Sequence, residues 1–225
     1  MMNLEDKYLQ YAKENKEEFI KKITHGKFPS DERDAVFMAG SPGAGKTEIV
    51  TELIKNYDNL VVIDADCFRE MFADYNGQNS SLFQKASSWL VEQAFQFAVK
   101  NGYSFIMDAT FAVPSAEKKI VKVLKKNYQV LIFYVYQEPE IAWKFTKARE
   151  IAEGRLVPRL TFINAFFKAR ENVKKVKERH SEVILHIIIK DYQNNISEIH
   201  YDTDNLELII PQRYKLEELE KILND

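Results

Sequence analysis

Apolar residues follow two rhythms along this chain. At roughly helical spacing, Leu4, Tyr8, Tyr11, Phe19 and Ile20 recur among charges until Gly26, a natural stop, so one amphipathic helix is expected from Leu4 to Ile23. Four short runs are instead continuously apolar: Ala35 to Met38, Leu60 to Ile63, Phe105 to Met107 and Val130 to Tyr136. Such runs suit strands buried on both faces. Helical segments alternate with them. One passes through Val50, Leu53 and Ile54; a longer one, with N-caps offered by Ser80 and Ser81, carries Phe83, Ala86, Leu90, Ala94 and Phe95 and stops at Gly102. Pro114 opens another, with Thr110 or a neighbour as N-cap, and two more cover Glu138 to Ala152 and Leu160 to Lys177. Val183 to Lys190 and Ile196 to Tyr201 read as a hairpin around Gln193, Asn194 and Asn195, with a closing helix from Leu216 to Leu223. The alternation implies a single α/β domain over 1–225: an N-terminal helix at 1–26, a core at 35–177, and the hairpin and helix at 183–225. Its sheet should be mostly parallel and flanked by helices on both faces.

Composition narrows the picture. With 225 residues the chain can bury a sizeable core, and 32 basic against 34 acidic residues leave no field that argues for a nucleic acid or a membrane as partner. No apolar run approaches the roughly 20 residues of a membrane span, and MMNLEDKYLQ does not read as a signal peptide. Cys67 is the only cysteine, so neither a disulfide nor a cysteine metal cage is expected, and a cytoplasmic location fits. Glycine is scarce, yet three of the seven, Gly40, Gly43 and Gly45, fall within six residues. The backbone there must adopt conformations that a side chain would forbid.

That cluster belongs to Gly40-Ser41-Pro42-Gly43-Ala44-Gly45-Lys46-Thr47, which fits the phosphate-loop pattern and lies between an apolar strand and a helix. Backbone N–H groups and a helix N-terminus converge on an anion in that setting. For a nucleoside triphosphate such as ATP, Lys46 would reach the β- and γ-phosphates and the Thr47 hydroxyl would ligate Mg²⁺. The fold class is therefore phosphate-loop NTPase or kinase-like. A plain tight turn would need small residues but not the lysine and threonine that follow them.

Acids and arginines supply candidates for chemistry. Asp64 and Asp66 close the second strand and by alternation should share a side, facing the crevice at the strand ends. Asp66 could take a proton from an attacking hydroxyl, or could merely cap a helix starting at Cys67. Asp108 ends the third strand two residues before Thr110 and could serve either the Mg²⁺ shell or substrate hydroxyls. Eight of the 32 basic residues are arginine, and Arg149, Arg155 and Arg159 sit within eleven residues, around Gly154 and Pro158. They suit either a lid that closes on a triphosphate or a solvated helix end. The basic stretch from Lys168 to Arg179 is interleaved with Glu171 and Glu178 and reads as a solvated helix face. His25, His180, His186 and His200 show no metal-ligand spacing.

These motifs together resemble the zeta toxin family, phosphate-loop kinases of UDP-N-acetylglucosamine, through A-G-S-P-G-A-G-K-T at 39–47, V-I-D-A-D-C-F-R at 62–69, N-G-Y-S-F-I-M-D-A-T at 101–110 and the arginine segment. The resemblance implies Asp66 as general base, Lys46 on the transferring phosphoryl group, and Arg149 and Arg159 as lid arginines on the triphosphate. It also implies that Glu92, Asp108 and Thr110 contact the nucleotide-sugar acceptor, and that a separate antitoxin protein is a partner. The roughly 30 residues before the first strand are too few for a fused inhibitor domain. Two departures fall on the acceptor side: Asp108 stands where the best-known members carry glutamate, and the histidine-proline that often follows the arginine of the second motif is missing after Arg69. A kinase of another small molecule, or a nucleotide-dependent switch without phosphotransfer, would share the same loop. The chain lacks the N-K-x-D guanine signature, and the D-x-D acids with clustered arginines favour chemistry over a switch.

Overall fold

The four apolar runs are strands because each is packed from both sides. A computed structural model describes residues 3–223. The strands are β1 (Asp34–Ala39), β2 (Val61–Asp64), β3 (Phe105–Asp108), β4 (Gln129–Tyr136), β5 (Ile184–Lys190) and β6 (Ile196–His200). They form one sheet in the order β2-β3-β1-β4-β5-β6, with five strands parallel and β6 antiparallel to β5 as the expected hairpin.

Alternation along the strands sorts side chains between two cores. Ala35, Phe37 and Ala39 of β1 and Val130, Ile132, Tyr134 and Tyr136 of β4 join the larger cluster. Val36, Met38 and Val135 face the other side, where Ala44, Ile49 and Val50 cover them. The helices are α1 (Leu4–Glu14), α2 (Lys16–Ile23), α3 (Lys46–Asn56), α4 (Ala65–Glu70), α5 (Gln84–Asn101), α6 (Ala116–Leu124), α7 (Pro139–Glu153), α8 (Arg159–Arg179), α9 (Leu206–Ile209) and α10 (Leu216–Ile222). Coverage is unequal: α1, α2, α5, α6 and α8 feed the larger cluster, whereas α3 supplies the smaller one. Aromatic rings of Tyr8, Phe72 and Phe83 interlock where α1 packs on α5. Among the described residues no helix is long and apolar enough to cross a membrane.

Four local details differ from the sequence expectation. The N-terminal helix is broken at Asn15, whose side-chain amide donates to the Tyr11 carbonyl at 2.9 Å and closes α1, in the way asparagine competes with helical backbone bonds. Ser80 and Ser81 do not cap the long helix; they lie in a 3₁₀ turn, Ser80–Phe83, that runs straight into α5. Nor does Thr110 cap α6, which starts at Ala116 after Ser115. The short helices α4 and α9 had no periodic signal, since each is under two turns long. Gly102 ends α5 in the left-handed conformation, as expected.

Phe105 is fully buried at the centre of the larger cluster, edge-on to Phe37 and Phe95. Phe105→Ala should therefore lower unfolding free energy by about 3–5 kcal/mol in a urea denaturation series. A loss below about 1 kcal/mol would contradict this packing.

Candidate active site

The phosphate loop is shaped by what crowds it. Gly40 follows β1 at φ 134, where a Cβ would collide with the Val135 carbonyl, and Gly43 at φ 71 leaves no room for a Cβ beside the Ala142 carbonyl and the Thr146 hydroxyl. Close approach of β4 and α7 thus demands glycine at both positions. Gly45 is the left-handed N-cap of α3, so the first N–H groups of that helix open onto a cleft of about 620 Å³. Pro42, Gly43, Gly45, Lys46 and Thr47 line it. Gly40, Ser41 and Ala44 form the loop's underside: the Gly40 N–H donates to the Thr110 carbonyl at 3.2 Å, Ser41 is buried, and Ala44 packs in the smaller core.

Lys46 is buried, and its ammonium donates to the carbonyls of Ser41 at 2.7 Å and Gly40 at 3.2 Å. Burial pushes its pKa down from 10.5 to about 8, with the Asp108 carboxylate pulling the other way. Thr47 donates to Asp108 Oδ2 at 3.1 Å. Register accounts for the acid beside it, because β2 and β3 pair with Asp64 opposite Asp108. Burial raises the pKa of both, with the neighbouring Asp66 adding to the rise at Asp64 and Lys46 opposing it at Asp108.

Asp64 and Asp66 part company. The strand ends at Asp64, so strand alternation does not carry on to Asp66, which sits in the first turn of α4. Asp64 takes the capping role, accepting from the N–H groups of Asp66 at 3.1 Å and Cys67 at 3.3 Å. Both acids line the cleft, as expected, and there Arg69 holds Oδ1 of Asp66 and Arg155 holds its Oδ2.

The arginine cluster divides too. Arg149 lines the cleft and pairs with Glu153 at 3.0 Å, and Arg155 lines it against Asp66. Arg159 is not among the lining residues; it opens α8 and donates to the Leu223 carbonyl at 3.1 Å. Thr110 lines the cleft beside Asp108, ahead of Phe111 at φ 60, whose carbonyl is held by Asn172 at 2.8 Å. Glu92 lies on α5 away from the lining, bonded to Gln96 at 2.5 Å and paired with Lys119. Lining residues that the sequence did not single out include Glu48 and Thr51 of α3, Phe145 and Thr146 of α7, and Asn194 from the β5–β6 turn. None of these carried a sequence signal, whereas Arg155, also in the lining, had one in its place in the arginine cluster.

Whether Mg²⁺ fits can be judged from the donors. Two partly buried carboxylates, costly to keep charged, sit side by side at strand ends with a hydroxyl at 3.1 Å from one of them. Among the described residues no group of three or more His, Cys, Asp and Glu could form a complete cage. Sparse oxygen donors are what Mg²⁺ uses when substrate phosphates complete its shell.

A strand, glycine loop and helix beneath a cleft, with lysine, threonine and acids at neighbouring strand ends, define a phosphate-loop, kinase-like fold. The zeta toxin family model matches residues 7–205, and the chain belongs to that family. It is 27% identical over 139 residues to toxin PezT of Streptococcus pneumoniae serotype 4 (strain ATCC BAA-334 / TIGR4), a stretch taking in 58% of this chain and 55% of that relative. The alignment thus spans about half of PezT. In structure the chain resembles one from the PezAT chromosomal toxin-antitoxin system of S. pneumoniae, with TM-score 0.66, 21% identity and coverage of 88% of this chain and 83% of that one. It also resembles AvrRxo1-ORF1:AvrRxo1-ORF2 solved with ATP, with TM-score 0.62, 15% identity and coverage of 92% and 70%. At these identities the two likenesses speak for the fold.

The Lys46 environment gives a signed pH effect. The folded chain holds this proton less tightly than the unfolded chain, so the buried charge costs stability below pH about 8, and the cost fades as pH rises from there toward 10.5. Without nucleotide or metal, wild type should gain stability relative to Lys46→Met across that window in urea melts. Equal pH slopes for the two chains would contradict the assignment.

Proposed function

We propose that this chain is an ATP- and Mg²⁺-dependent phosphotransferase that phosphorylates the 3′-hydroxyl of the amino sugar of UDP-N-acetylglucosamine. The observation that carries the phosphotransfer reading is the placement of the Asp66 carboxylate and the Lys46 ammonium in one cleft above the phosphate loop. Family membership supports the acceptor.

In this reading the loop amides and Lys46 bind the β- and γ-phosphates, and Lys46 exchanges its carbonyl partners for phosphate oxygens. Thr47 and Asp108 are the residues that would hold Mg²⁺, which would supply positive charge to neutralise the phosphates. Asp66 accepts the proton of the acceptor hydroxyl as its oxygen bonds to the γ-phosphorus, while the bond from that phosphorus to the β–γ bridging oxygen breaks and ADP leaves. Arg149 and Arg155 are the arginines assigned to the triphosphate, because both line the cleft and Arg159 does not. Thr110 and Asp108 flank the acceptor side. An antitoxin protein is the proposed partner, by family.

A second reading keeps the chemistry and changes the acceptor to another small-molecule alcohol. It is favoured by Glu92, which is tied to Lys119 away from the cleft lining, and by Asp108, one methylene shorter than the glutamate expected there.

Incubation with ATP, Mg²⁺ and UDP-N-acetylglucosamine should yield a product heavier by one phosphate in mass spectrometry. Asp66→Asn should then lower kcat on the order of 10²–10⁴-fold. An Asp66→Asn chain turning over at the wild-type rate would remove the general-base assignment. Product from a different alcohol in a parallel panel, with none from the nucleotide sugar, would select the second reading.

A further inference from the structure

Both oxygens of the Asp66 carboxylate are occupied by arginine, and the two arginines are held very differently. Arg69 is only 4% exposed, and its second terminal nitrogen donates to Gln84 Oε1 at 2.6 Å, so α4 and α5 fix it in place. Arg155 has a side chain 31% exposed, and it lies between Gly154, the left-handed end of α7, and Pro158, in a segment without regular structure. Its ion pair spans 89 residues of sequence. One grip is built in and the other is releasable.

The position is awkward for a base. With a guanidinium on both Oδ1 and Oδ2, half of the carboxylate's roughly four acceptor sites are already taken, and the Arg155 group shares the cleft that an acceptor hydroxyl must enter to reach Oδ2. Yet Arg155 lines the same cleft as Lys46, and a triphosphate seated on the loop would offer it several anionic oxygens in place of one carboxylate oxygen.

Building on the phosphotransferase reading, we propose that Arg155 is a latch on Asp66, which a triphosphate seated on the loop draws off, leaving Oδ2 to the acceptor hydroxyl. Arg69 stays on Oδ1 throughout and keeps the carboxylate aimed. Nucleotide binding would then precede productive acceptor binding, and the base would be masked until a phosphoryl donor is present. The latch also carries a thermodynamic signature. If nucleotide must compete with Asp66 for Arg155, the apparent ATP affinity falls by the fraction of chains with the latch open.

A four-chain cycle tests this with ATP alone, by calorimetric titration without acceptor: wild type, Asp66→Asn, Arg155→Gln and the double variant. Removing the latch partner in Asp66→Asn should tighten ATP binding roughly three- to tenfold, and the same change in the Arg155→Gln background should alter it by less than about twofold. Equal tightening in both backgrounds would be simple relief of charge repulsion and would overturn the latch, as would no tightening in either. Should Asp66→Asn fail to fold by circular dichroism, Asp66→Ala completes the same cycle. A wild-type chain that binds no ATP would overturn the phosphotransferase reading itself, an outcome distinct from failure of the latch.

Discussion

Charge held partly out of water is the constraint on which this cleft depends. A site for a triphosphate, a divalent cation and a reacting hydroxyl needs an ammonium, carboxylates and guanidinium groups close together and partly out of water. Each must also find partners within the fold. Lys46 leans on the carbonyls of its own loop, Thr47 on Asp108, Arg149 on Glu153, and Arg155 on Asp66. Each of these partners is an oxygen that a phosphate oxygen could replace without leaving the cation unpaired, or a carboxylate that a cation could share.

The scaffold supplies the geometry through register more than through proximity in sequence. Pairing β2 with β3 sets Asp64 beside Asp108, and pairing β1 with both β3 and β4 places the phosphate loop at the middle of the sheet's carboxyl edge. Ligands of open α/β sheets bind in that crevice. Helix α7 then closes the near side, and its packing against Gly43 leaves no space for a side chain there. A glycine that looks like flexibility in the sequence is a steric requirement in the fold.

Much of this was legible from residue order. Continuous apolar runs mark the central strands, and the loop from Gly40 to Thr47 is a local motif whose residues act through neighbouring backbone, so reading it needs no tertiary knowledge. Features decided by one side chain, by a turn of the chain or by a distant contact were not legible. The break at Asn15 turns on a single side chain capturing the Tyr11 carbonyl within a pattern that stays periodic. Strand alternation put Asp64 and Asp66 on one side, and both line the cleft, but the chain turns into α4 between them, so that Asp64 caps the helix and Asp66 pairs with Arg69 and Arg155. Arg155 and Arg159 are four residues apart, and the turn through Pro158 into α8 sends one to the cleft and the other to the Leu223 carbonyl. Asn194 reaches the cleft beside Glu48 across 146 residues, which no spacing rule anticipates.

One structure would test the central claim, that this cleft is a phosphotransfer site with Asp66 as base. A crystal of the chain with UDP-N-acetylglucosamine and a non-hydrolysable ATP analogue should show the sugar 3′-hydroxyl within about 3 Å of Asp66 Oδ2 and Arg155 on the triphosphate. A nucleotide seated on the loop with Arg155 still on Asp66, and no hydroxyl within reach of that carboxylate, would contradict it.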